Sequence, residues 1–160
     1  MTQNQSPPVG AWQPAAPVRP GPAVGVSYAG FGIRVVAWLI DAVALGVITS
    51  AVTPLLGFGW FISHSGGWDA ATNAFSGLVG LVYFVGLWVW KGQTLGMMPF
   101  GLWVVREEDG GQLDLTRALL RYVGLIVSFA AILIGVIWVA FDARKQGWHD
   151  KMARSLVVRR

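Results

Sequence analysis

Arg34 and Asp41 are the only charged residues in "GIRVVAWLIDAVALGVITSAV" (32–52). Seven residues are two helical turns less about 20 degrees, so the two share a helix face. They also differ in height by about 10 Å. Asp41 would lie roughly 12–15 Å into a helix beginning at residues 31–33, near the centre of a bilayer core about 30 Å thick. Translocon-based scales put an aspartate there at about +2.5 to +3.5 kcal/mol, which a partner or enclosed water must offset. Two chemistries suit such a group. It can take up a proton or cation during transport, or it can be a buried polar staple that fixes helix packing, and the spacing leaves both open. Arg34, nearer the helix start, is expected to reach toward headgroups. Ala37, Ala44 and Ala51 lie on the Asp41 stripe, and small residues admit a close neighbour, so Asp41 should face protein rather than lipid. Its candidate partners are Tyr83, Asn73, Ser128, Arg121 or a bound cation.

The second acidic group of interest is Asp150, next to His149 in "QGWHDKMARSLVV". An adjacent His–Asp pair could ligate a metal or exchange protons, but sequence neighbours point apart and no second ligand cluster accompanies them. Asp150 is instead expected to order one end of the fold against Arg117, Arg121 or the amides near Thr94. Asp142 and Arg144 should serve as anchors at the membrane exit. Ser63, His64, Ser65 and Asp69 in "SHSGGWD" lack the strand–turn–helix context of a nucleophile elbow. No catalytic constellation is complete, so the expectation is a protein that is not an enzyme and has no metal or cofactor.

These groups must be positioned by apolar elements. Hydrophobic residues make up 54% of the 160 and charged residues 12%, half the roughly 25% usual in soluble domains. Three apolar segments, at about residues 31–56, 74–90 and 122–141, each approach the ~20 residues of a bilayer-spanning helix. Trp88 and Trp90 suit a lipid–water boundary at the end of the second. Six of eight prolines fall in the first 22 residues. Residues 1–27 therefore read as a disordered Pro-rich cytoplasmic tail, without the basic start and apolar core of a signal peptide. The Pro14, Pro17 and Pro20 spacing is ordinary for such a segment. There is no cysteine, which excludes disulfides and thiol chemistry.

Charge orients the segments. The loop "GFGWFISHSGGWDAATN" holds no Lys or Arg, whereas 91–121 contains Lys91, Arg106, Arg117 and Arg121, and the chain after the third segment is strongly basic. Positive loops stay cytoplasmic, so the amino terminus and 91–121 are expected inside, with the net charge of +4 facing anionic headgroups rather than nucleic acid. Gly124, Ser128, Ala131 and Gly135 at 3/4 spacing favour one straight third helix. Against that, "GLWVVRE" and "SLVVRR" read as short strands, with "EEDGGQ" as the turn closing the first. If they pair, the third segment must be a hairpin turning near residues 130–132. The hairpin is the preferred reading. Gly92 and Gly96 should shape a turn around Thr94 rather than a dimer seam. The expected fold is an all-α integral membrane protein: two transmembrane helices, a third apolar segment (single span or helical hairpin), and a small cytoplasmic β element.

In order and spacing, "AGFGIRVVAWLIDAVALG", "GQTLGMMPFGLWVVREEDGG", "TRALLRYV" and "FDARKQGWHDKMARSLVV" resemble the RDD family of membrane proteins, over residues 28–160. The family's arginine and two aspartates map onto Arg34, Asp41 and Asp150. Met97 and Met98 stand where relatives often carry Lys or Arg, and Arg154–Ser155 where Gly–Thr is usual. The resemblance implies a bacterial-type inner-membrane protein of a family suspected of transport, including cation/proton exchange. Two functions are weighed: a small ion-coupled transporter or subunit, its pathway formed between copies or with a partner membrane protein, and a non-catalytic membrane partner. In either, Arg34, Asp41 and Asp150 form the charge network, supported by Tyr83, Thr94, Arg117, Arg121, Ser128 and His149.

Overall fold

The computed structural model describes residues 22–23, 25–55, 70–131 and 133–160. The readings made for the Pro-rich tail up to residue 21 and for "SHSGGWD" lie outside the described residues. After a two-residue strand β1 (Ser27–Tyr28), α1 (Phe31–Leu55) and α2 (Ala70–Trp90) form the apolar core elements. At 1.5 Å per residue these are about 37 and 31 Å long, enough to cross a bilayer; both are apolar enough to do so. Hydroxyls inside α1 do not break it, because Thr53 donates to the Thr49 carbonyl at 2.5 Å, and Thr49 donates to that of Leu45. Val43, Val47 and Val82 are each more than 60% exposed, which in water would be an aggregation surface and in lipid is a solvated one.

A turn and a 3-10 segment lead to β2 (Leu102–Arg106), then α3 (Leu115–Ala130), α4 (Ile134–Ile137) with a 3-10 extension to Ala140, the short α5 (Trp148–Met152) and β3 (Ser155–Arg159). The third apolar segment is not a straight span. Its two arms meet at 114°, across a turn in which Leu133 takes φ +64. Only the 16 residues of α3, about 24 Å, run as one helix. Gly124, Ser128 and Gly135 serve close packing rather than the stripe of one straight helix. A Cβ on Gly124 would meet the His149 Cα at 2.9 Å, and one on Gly135 the Ser128 Cβ at 2.8 Å. They seat α5 and the returning arm against α3.

That return lets the two strands meet. β2 and β3 pair antiparallel, Val104 opposite Val157, and β1 adds to the other edge of β3 through Ser27–Arg159 and Tyr28–Val158. The sheet order is therefore β1-β3-β2, and its first strand was not expected from the sequence. Strand alternation splits the residues by face. Leu102, Val104 and Val157 join Ala37, Tyr83 and Trp88 in the main core, while Val105, Leu156 and Val158 pack under Val26, Tyr28 and Trp103. The sheet is tied directly to the helix ends: Ala29 N–H donates to the Val157 carbonyl at 2.9 Å, and Val104 N–H to that of Gly92 at 2.7 Å. Trp90 is exposed as a boundary residue should be, but Trp88 is 3% exposed and belongs to the core. "EEDGG" does turn the chain after β2, with Gly110 at φ +67 and its N–H on the Arg106 carbonyl.

Candidate functional site

Two separate polar centres sit between the helices and the sheet. The first is built on Asp41, 2% exposed. Tyr83 of α2 donates its hydroxyl to Oδ1 at 2.7 Å, Thr94 donates to Oδ2 at 2.6 Å, and the Gly96 amide donates to Oδ1 at 2.7 Å. The segment after α2 reaches the acid by folding back against α1. Gly92 at φ +68 opens the turn, and Gly96 lies so close to α1 that a Cβ would fall onto the Ala37 carbonyl oxygen. Of the small-residue stripe, Ala37 alone is fully buried for this approach. Non-helical backbone at this depth is tolerable because protein covers it and Asp41 consumes its donors. Among the described residues no cationic side chain forms an ion pair with Asp41.

The second centre is built on Asp150, completely buried in α5. Arg34 Nη1 donates to its Oδ2 at 2.6 Å, Arg121 Nη1 donates to Oδ1, and the Gly147 amide donates to Oδ2 at 3.0 Å. Arg34 is fixed further by bonds to the Lys145 carbonyl at 2.6 Å and the Ala29 carbonyl at 3.1 Å. Arg121 also donates to the Ser155 hydroxyl at 2.7 Å. One carboxylate thus clamps the start of α1, the second turn of α3, α5 and the first residue of β3. Burial alone would push the Asp150 carboxyl up, but Arg121, Arg34 and the Gly147 amide outweigh it and hold it well below the usual carboxylate range. His149 lies beside them, 6% exposed; burial, with the two arginines adding to it against the pull of Asp150, lowers its imidazole to about 4.

Several expectations are corrected by this geometry. Arg34 turns into the protein rather than toward headgroups, and it pairs with Asp150 instead of Asp41, because the ~10 Å rise between the two helix positions exceeds what their shared face can offset. Thr94 serves Asp41, not Asp150. Arg117 is absorbed by Glu108 at 2.5 Å and Asp114 at 3.4 Å on the surface. Ser128 donates to the Gly124 carbonyl of its own helix at 2.7 Å, so neither Ser128 nor Arg121 is the Asp41 partner; Tyr83 is. Asp142 holds Lys151 at 2.6 Å, and Arg144 pairs with Glu107. Sequence reasoning missed the amides of Gly96 and Gly147 and the hydroxyl of Ser155. The glycines in "GQTLG" and "KQGWHD" were the available signal.

Two spanning helices closed at one end by a charge-clamped sheet and a bent apolar pair define a polytopic membrane protein. The sequence profile of the RDD family matches residues 28–154, and the chain belongs to that family. It is 35% identical over 135 residues to the uncharacterized membrane protein YteJ of Bacillus subtilis (strain 168), covering 82% of this chain and 81% of that protein. It is 28% identical over 89 residues to the uncharacterized protein RP437 of Rickettsia prowazekii (strain Madrid E), covering 56% of this chain and 47% of that one. No solved structure matches the chain.

Proposed function

We propose that this protein is a multi-pass component of the cell membrane that couples movement of a proton or small cation to Asp41. The single observation that carries the reading is an acid buried among the apolar helices, held by three neutral donors and paired with no cation among the described residues, on the wall of a cavity of about 370 Å³. A buried ionisable group in a membrane segment marks a pathway by default. Arg34, Asp150 and Arg121 are then the clamp that holds α1 and α3 around it, not the moving part. Lys91, Arg106, Lys145, Arg154, Arg159 and Arg160 lie at the sheet end, which supports reading that end and the amino terminus as facing the anionic cytoplasmic leaflet. Two or three spans cannot enclose a full path, so a second copy or a partner membrane protein completes it. The function is non-enzymatic.

The test is ion-driven flux in proteoliposomes. Asp41→Asn is expected to reduce flux by at least about ten-fold, the effect of about 1.4 kcal/mol, while the melting profile and oligomer size stay near those of the parent. Unchanged flux in that variant sinks the proposal. A second reading, a non-catalytic membrane partner, is favoured by the fact that all three Asp41 bonds tie the 83–96 region to α1. It expects Asp41→Asn to lower stability and the parent protein to move no solute.

A further inference from the structure

The two oxygens of Asp41 are held differently. Oδ1 accepts from both the Tyr83 hydroxyl and the Gly96 amide, each at 2.7 Å, whereas Oδ2 accepts from the Thr94 hydroxyl alone, at 2.6 Å. A carboxylate offers about four lone-pair sites, so among the described residues the lightly used oxygen is Oδ2. The two sides also differ in what they can give up. An amide N–H never accepts, so Oδ1 always faces a fixed donor. A hydroxyl donates or accepts as it rotates, so the Thr94 bond can reverse.

All three neighbours present hydrogen to the carboxylate. A metal ion needs lone pairs instead: magnesium and calcium take about six to eight oxygen ligands, and ion sites at broken membrane helices are built from unwound carbonyls. Here the unwound segment turns the Gly96 N–H toward the acid, while the Thr94 carbonyl is occupied by the Met97 and Met98 amides at 3.1 and 3.2 Å. Among the described residues no group of three His, Cys, Asp or Glu side chains is placed to share a cation. The cavity wall on which Asp41 lies includes Val35, Trp38, Phe84 and Phe129, which cannot replace a hydration shell. Tyr83 is the one titratable group bonded to Asp41. Arg34, Arg121 and His149 line the same cavity, but both arginines are bonded to Asp150 and burial keeps His149 neutral.

We infer, resting on the reading of Asp41 as the exchanging group, that it carries a proton and not a metal ion, and that the proton sits on Oδ2. On uptake one proton bonds to Oδ2, the carboxylate loses its charge, and the new O–H donates to Thr94 Oγ1 as that hydroxyl rotates away. Release reverses each step. Oδ1 stays the carbonyl oxygen throughout, under the Tyr83 and Gly96 donors, and Thr94 is a positioning residue for the proton.

The test reads acid-minus-alkaline infrared difference spectra of the full chain in detergent, with N-methylglucamine chloride holding ionic strength constant. The expected result is a protonated-carboxyl C=O band that Asp41→Asn lacks and that added sodium, potassium, lithium or magnesium leaves unchanged. An ion bound by the same oxygens would instead lower the apparent proton affinity about ten-fold for each ten-fold rise in its concentration. Tyr83→Phe strips a donor from the carbonyl oxygen, so it should move the band to higher wavenumber by more than Thr94→Val does, and Thr94→Ser should restore the parent band. The ion titration uses the parent protein and carries the test if the variants do not fold. A parent spectrum with no band beyond that of Asp41→Asn, loss of the band on adding any of the four ions, or a larger shift in Thr94→Val than in Tyr83→Phe overturns the inference. Loss of the band to an ion leaves Asp41 as the exchanging group, which only the flux of Asp41→Asn removes, so the two failures are told apart.

Discussion

Neutralising Asp150 without changing its shape is the sharpest test of the clamp. In Asp150→Asn both arginines stay where they are, 11% and 3% exposed in their side chains, but face an amide that cannot balance either charge. Removing one partner of a buried ion pair leaves an uncompensated charge and costs about 3–5 kcal/mol. Domains have only about 5–15 kcal/mol in total, so the variant loses about a fifth of its stability or more. At roughly 2–4 °C per kcal/mol for a chain of this size, the melting temperature in detergent should fall by roughly 6–20 °C. The parent protein should show the same dependence through pH. The folded carboxyl titrates below its unfolded value near 3.9, so its contribution is complete above that value and drains away as pH drops below about 4. A double variant, Asp150→Asn with Arg34→Gln, should recover part of the loss, because one stranded guanidinium is gone. A loss under about 1 kcal/mol, the range of a surface pair, or simple additivity in the double variant, would refute the buried clamp.

Three more outcomes follow from the same geometry. His149 has a folded value of about 4 against 6.5 unfolded, so the folded state resists its protonation; stability should decline by on the order of 3 kcal/mol as pH falls from 6.5 to 4, and His149→Gln should flatten that slope in pH-dependent melting. Gly96→Ala should cost at least about 2 kcal/mol or prevent assembly, since the added carbon would lie on the Ala37 carbonyl and 2.9 Å from the Asp41 carboxyl carbon; normal melting would show that the 91–97 segment does not sit against α1. Arg154 holds φ +46, so Arg154→Gly should raise stability by about 1 kcal/mol in a denaturant titration, and a loss would mean that its side chain contributes more than its backbone is strained.

The parts of this fold legible in sequence were those with local causes. Twenty-odd apolar residues dictate α1 and α2 by length, and the alternating "LWVVR" and "SLVVR" dictate two strands whose pairing required the third segment to return. The midplane acid announced that it needed a partner, and Tyr83 was among the residues named. What was hidden depends on distance along the chain. Arg34 and Asp150 are separated by 116 residues, and nothing local marks them as a pair, whereas the seven-residue spacing to Asp41 suggests a contact that the helix rise forbids. Gly96 and Gly147 act through backbone N–H groups, which every residue but proline possesses. β1, two residues long, and α5, five residues long, are too short to leave a periodic trace.

β3 is the middle strand of its sheet and follows every membrane helix along the chain. Until it emerges, β1 and β2 have no common neighbour, and both arginines already delivered to the bilayer wait for the carboxylate just upstream of it. Closure of the sheet end consequently comes late, with insertion of the helices first and pairing of the strands afterwards. Loss of β3 and of the carboxylate before it would spare α1, α2 and α3 yet leave the molecule open, and quality-control proteases would meet it in that state.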